Sequence, residues 1–85
     1  NDLATMNAVR DLQVDAVRLA RLLLTGEQRR FEAGESSLFL VNVRERLVLD
    51  EELKLAAVEA KYASTRAELA VAIGEPAVLP MDGRR

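Results

Sequence analysis

The fold class predicted by this sequence is all-α: a long antiparallel helical hairpin of coiled-coil character, packing into a bundle with other copies. Three observations predict it. Leu, Ala, Val, Glu and Arg dominate the 85 residues and aromatic content is only 4%, a composition that favours helix over sheet. Apolar residues recur at spacings of three and four through two long segments. Between those segments lies one short stretch of punctuation, "RRFEAGESSLFLVNVRE" (29–45), while both prolines stand near the C-terminus at Pro76 and Pro80.

The first helix is expected over about residues 2–33. Leu3, Met6, Val9, Leu12, Ala16, Leu19 and Leu23 form one apolar row, and Val17, Ala20 and Leu24 trace a second row beside it, so the apolar surface is wider than one partner helix covers. Gly26 is the weak point: glycine costs about 1 kcal/mol inside a helix, and Thr25 with Gln28 has the form of a capping-box start. Continuity through Gly26 is nonetheless the expectation. Gly34 is the stronger stop, because glycine adopts the left-handed conformation that closes a helix and Arg29 and Arg30 place cations at the carbonyl end of the dipole.

The tip is expected at residues 34–36. Glu35, Ser36 and Ser37 then supply what a helix start needs, a hydroxyl to accept from orphan N–H groups and an acidic charge near the positive end of the dipole, with Ser36 or Ser37 as the cap. The second helix is expected over about 37–73, with Leu38, Val41, Val48, Leu55, Val58, Tyr62, Leu69 and Ile73 among its apolar positions and Asp50/Lys54 as an i,i+4 pair. Gly74 and Pro76 end it, and residues 75–85 read as a loop or disordered tail. At about 1.5 Å per residue each helix is on the order of 50 Å long. That is several times the usual globular length of about 11–12 residues, and is typical of coiled coils and bundles.

Composition also narrows function. Cysteine and histidine are both absent, which removes disulfides, thiol nucleophiles, imidazole catalysis and nearly every zinc constellation. A di-metal carboxylate bundle needs Glu-x-x-His pairs, so that site cannot be assembled either. Glu51 and Glu52 are adjacent on a helix and cannot converge on one substrate atom, and four dispersed glycines make no phosphate cradle. The expectation is a chain that is not an enzyme and carries no cofactor or metal. Net charge is −2, from 14 acidic and 12 basic residues, and the arginines of the first half are matched by acids, so nucleic acid is not an expected partner. No apolar run approaches the roughly 20 residues of a membrane-spanning helix. The Asn-Asp-Leu start has no signal-peptide pattern and reads as that of an excised or processed piece.

What remains is interaction. The run "RFEAGESSLFLVNVRE", preceded by "ARLLLTGEQ" and followed by "AELAVAIG", resembles the second periplasmic helical hairpin of TolC-type outer-membrane efflux proteins. The likeness covers roughly residues 5–75 and includes the aromatic-x-x-Gly-x-x-Ser tip (Phe31, Gly34, Ser37) between long flanking helices. In that family three chains build an outer-membrane β-barrel continued by a helical tunnel through the periplasm. The resemblance implies that this chain is one tunnel hairpin, in the bacterial cell envelope, serving an export conduit. Its partners would be a periplasmic adaptor protein and, through the full-length parent, an inner-membrane transporter, with the chain itself a homo-oligomer. It further implies that Gly34, Glu35, Ser36, Ser37 and Leu38 form an adaptor-docking tip, flanked by Phe31 and Ala33, in addition to their turn and cap roles. A tunnel constriction would fall at Leu40, Val43 and Arg44. Better-known members carry acidic residues there; here Leu40 and Val43 take those places, so an aspartate-lined entrance lacks its residues. The rival reading is a self-contained coiled-coil interaction or scaffolding module with no transport role.

Overall fold

A computed structural model describes residues 2–74. Two helices, α1 (Asp2–Glu32) and α2 (Leu38–Ala72), run antiparallel and pack along their length. The shape is thin and extended, 66 × 28 × 13 Å, a single layer of two rods. Among the described residues there is no strand. Residues 75–85, expected as a loop or tail, and Pro76 with them, lie outside the described residues.

Helix α1 is unbroken through Gly26, which has negative φ and open space around its Cα. Its last turn carries Arg29 and Arg30, as the dipole favours. At the other end of the molecule α2 closes on Gly74 (φ 74°), whose N–H donates to the Val71 carbonyl at 3.0 Å, after Ile73 has donated to Leu69 at 3.0 Å. Glycine is needed there because the left-handed region costs other residues roughly 1–2 kcal/mol. Within α2, Lys54 Nζ donates to Glu51 at 3.3 Å, so the realised ion pair has i,i+3 spacing and uses Glu51 where Asp50 was expected.

The seam between the helices has a heptad spacing. On α1 the covered positions Leu3, Met6, Arg10, Gln13, Val17, Ala20, Leu24 and Glu27 alternate by three and four; on α2 so do Val41, Arg44, Val48, Leu55, Val58, Tyr62 and Thr65, with Glu51 completing the series. A repeat averaging 3.5 residues keeps the same stripe turned toward the partner as the rods coil about each other. Only Val17, Ala20 and Val41 are buried apolar residues, and several seam positions are polar. Those polar groups find partners across or along the seam. Gln13 Nε2 donates to the Glu51 carboxylate at 2.7 Å and to the Glu51 carbonyl at 3.0 Å. Arg10 lies over the Tyr62 ring, 5.7 Å from its centroid, a cation–π arrangement that offsets a buried Nε without an acceptor. Arg21 pairs with Glu52 at the seam's edge.

The seam divides the first apolar row of α1, with Leu3 and Met6 covered. Val9, Leu12, Leu19 and Leu23 of that row are turned away from α2, and Ala16 between them is partly covered; Leu12 is 71% exposed and Leu19 57%. The row that faces α2 mixes Val17, Ala20 and Leu24 with Arg10, Gln13 and Glu27. The physical reason is that Gln13 and Glu27 have their hydrogen-bond partners on α2 or in the tip, and a buried polar group left without a partner costs about 1–3 kcal/mol.

Candidate docking tip

The reversal is built by two caps back to back. At the end of α1, Glu35 N–H donates to the Arg30 carbonyl at 2.7 Å and Gly34 N–H to the Phe31 carbonyl at 3.0 Å, the paired 6→1 and 5→2 bonds of a Schellman motif. Gly34 takes φ 78°, and a Cβ there would meet nothing within 4 Å, so the demand for glycine is conformational and not steric. Ser37 then caps α2: its backbone is extended (φ −132°, ψ 157°) and its Oγ accepts from Leu40 N–H at 3.2 Å. Of the two serines offered by the sequence, Ser37 is the cap.

Ser36 has a different task. Its hydroxyl donates to the carboxylate of Glu27, which is 5% exposed although it lies one turn and a half before the end of α1. Glu27 also accepts from Arg30 Nη1 at 3.3 Å and from Arg44 Nε at 3.4 Å. One carboxylate thus joins the last turns of α1, the reversal and the second turn of α2. These donors hold its pKa below the ordinary value of 4.5, the Ser36 hydrogen bond most strongly, with desolvation opposing and the Arg44 hydrogen bond and the charges of Arg30 and Arg44 assisting. Arg30 closes the arrangement by donating from Nη2 to the Glu35 carbonyl at 2.8 Å. Glu51 is likewise held below 4.5, chiefly by the Gln13 hydrogen bond and then by Lys54.

The expected site residues therefore divide. Gly34, Glu35, Ser37 and Leu38 are exposed at the apex, and Ser36 is half-buried against Glu27. Leu40 and Val43 lie exposed on the flank of α2, whereas Arg44 is turned inward onto Glu27. Two residues at the tip were not singled out by sequence reasoning. Glu27 looked like one more charge on a solvated face; the signal that could have found it is its place in the 3,4 series three residues after Leu24. Phe39 is 72% exposed and, with Phe31 and Leu38, makes the apex apolar. Two aromatic residues bracketing a glycine turn, three residues before it and five after, would have been the cue.

Among the described residues no group of three or more potential metal ligands gathers, and no helix is long and apolar enough to cross a membrane. The open grooves run along the hairpin's faces: one is lined by Val14, Val17, Leu22 and Leu55 with Arg18, Arg21 and Glu52, another by Ala16, Leu19, Ala20, Leu23, Leu47 and Glu51. Neither converges polar groups on a point, as a small-molecule site requires. No family model, no curated protein and no solved structure matches this chain.

Proposed function

We propose that the chain is a periplasmic tunnel hairpin of an outer-membrane efflux channel subunit, in the bacterial envelope, contributing wall to an export conduit and docking a periplasmic adaptor through its tip. The observation that carries this reading is the apex itself. A left-handed Gly34 followed three residues later by the capping Ser37 presents Phe31, Leu38 and Phe39 to solvent at the end of a rod on the order of 50 Å long. Exposed aromatic and aliphatic side chains on a rigid reversal form an anchor for another hairpin's end. The role is passive and non-catalytic: packed helices supply the conduit, and energy enters from an inner-membrane transporter linked through the parent protein and the adaptor.

The direct test is calorimetric titration of the chain with a recombinant adaptor hairpin, repeated with Leu38→Glu and Gly34→Ala. Saturable binding that weakens at least tenfold in both variants supports the reading. Binding that survives both unchanged removes the tip assignment. The heptad seam favours a second reading, a self-contained coiled-coil scaffold, since such a seam is sufficient to build one. That reading gains if no adaptor hairpin binds.

A further inference from the structure

Charged groups converge beneath the apex in unequal numbers: one carboxylate, Glu27, and two guanidiniums, Arg30 from α1 and Arg44 from α2. The carboxylate divides its oxygens between them. Oε2 accepts from the Ser36 hydroxyl and from Arg30 Nη1 at 3.3 Å, and Oε1 accepts from Arg44 Nε at 3.4 Å. Arg30 in turn holds residue 35 at both of its backbone polar groups. The Arg30 carbonyl accepts from Glu35 N–H at 2.7 Å, and Arg30 Nη2 donates to the Glu35 carbonyl at 2.8 Å. The caps at Gly34 and Ser37 shape the turn locally, whereas the Glu27 cluster ties that turn to both rods.

We infer that Glu27 is the positioning residue of the tip: its ionised carboxylate holds Arg30 and Arg44 together beneath the reversal, and without that charge the two guanidiniums drive the apex apart. Elsewhere along the seam each such carboxylate has one cation, Lys54 for Glu51 and Arg21 for Glu52. At the tip the ratio is two cations to one anion, so neutralising Glu27 leaves like charges side by side with no anion between them. Glu27 is 5% exposed and Arg44 is partly covered, so water screens this site less than it screens an open surface pair. The repulsion acts on the reversal itself, because Arg30 carries Glu35 with it while Arg44 stands on the opposite rod. A carboxylate acting only as a hydrogen-bond acceptor would behave differently, since a glutamine amide oxygen also accepts. Docking is a consequence of this order, and that consequence alone rests on the tip reading: Leu38 and Phe39 serve as a preformed anchor only while the reversal is held.

The full 85-residue chain has no cysteine, so a single nitroxide label can be placed at a chosen position. At Glu35→Cys, an exposed side chain, its line shape reads apex motion in the folded chain; at Leu53→Cys, 70% exposed on α2, it reads the rod. Glu27→Gln should convert about half or more of the restricted signal at 35 to a fast component and leave the signal at 53 unchanged. Adding Arg44→Gln to Glu27→Gln should restore the restricted signal, because one guanidinium then has no like-charged neighbour. Ser36→Ala keeps all three charges and should leave the label restricted. An unchanged spectrum at 35 in Glu27→Gln, mobilisation that Arg44→Gln does not reverse, or mobilisation by Ser36→Ala as large as that by Glu27→Gln each overturns the inference. If Glu27→Gln alone does not fold, the Glu27→Gln/Arg44→Gln chain and Ser36→Ala decide it by the same criteria. Calorimetric titration with the adaptor hairpin should show binding weakened about tenfold or more by Glu27→Gln and recovered in the double variant; parent-like binding by Glu27→Gln overturns the positioning role. A parent chain that binds no adaptor hairpin counts against the tip reading, while the spin-label outcomes still decide the role of Glu27.

Discussion

Two glycines in similarly open surroundings should respond to alanine in opposite directions. A Cβ added at Gly26 or at Gly34 meets no atom within 4 Å, so packing does not distinguish the sites. Backbone conformation does: Gly26 is an interior residue of α1 with ordinary negative φ, and Gly34 sits at φ 78°. Alanine at a helix interior is better than glycine by about 0.8–1 kcal/mol. In the left-handed region it costs roughly 1–2 kcal/mol, offset by part of the about 0.4–1 kcal/mol gained from a stiffer unfolded chain. Gly26→Ala should therefore stabilise by about 1 kcal/mol and Gly34→Ala destabilise by about the same, and the double variant should return close to the parent, since the two sites share no partner. For a domain of this size each change corresponds to a midpoint shift of about 4–8 °C. The assay is thermal unfolding followed by circular dichroism at one fixed protein concentration, because association raises apparent stability. A fall in the midpoint with Gly26→Ala would show that the chain bends there, and no change with Gly34→Ala would show that the reversal lies elsewhere. Either result refutes the placement of the tip.

Other outcomes follow from the same geometry. Ser37→Ala removes the acceptor for Leu40 N–H and should cost about 1 kcal/mol in urea unfolding, whereas Ser37→Asp should retain most of it. Val17→Ala deletes a buried side chain and should cost about 1–2 kcal/mol, whereas Leu12→Ala, at a position 71% exposed, should change stability by less than about 0.5 kcal/mol. Glu27 and Glu51 have native pKa values below the ordinary 4.5, so the unfolded chain takes up protons first. Their contribution is complete above about pH 5 and is lost as pH falls through the lower native values. The midpoint should be flat from pH 7 to 5, fall below pH 4.5, and fall less steeply in Glu27→Gln; a midpoint that rises on acidification would contradict the assigned hydrogen bonds.

Legibility differed between the tip and the faces. Gly34, Ser37 and Gly74 could be read because caps are local: a positive φ or a hydroxyl acceptor is required by the few residues that surround it, and glycine and serine answer that requirement by type. Glu27 could not, because its burial depends on Ser36 and Arg44, nine and seventeen residues away, arriving on the same side. The choice between Asp50 and Glu51 as partner of Lys54 was equally hidden. Both spacings are allowed on a helix, and Glu51 is held in place by Gln13, a residue of the other rod.

By itself the sequence determined that the chain is helical, that it reverses once between Gly34 and Ser37, that it lacks the groups for imidazole or thiol chemistry, and that it carries more apolar surface than two helices hide. Tertiary structure alone decided which apolar positions of the two rows on α1 meet α2: Leu3 and Met6 of one and Val17, Ala20 and Leu24 of the other. Both rows satisfy the helical period equally, so periodicity cannot rank them. The decision rests on pairs brought together across the seam, Gln13 with Glu51 and Glu27 with Arg44, whose desolvation is tolerable only when they face each other. Meeting that condition leaves Val9, Leu12, Leu19 and Leu23 turned outward.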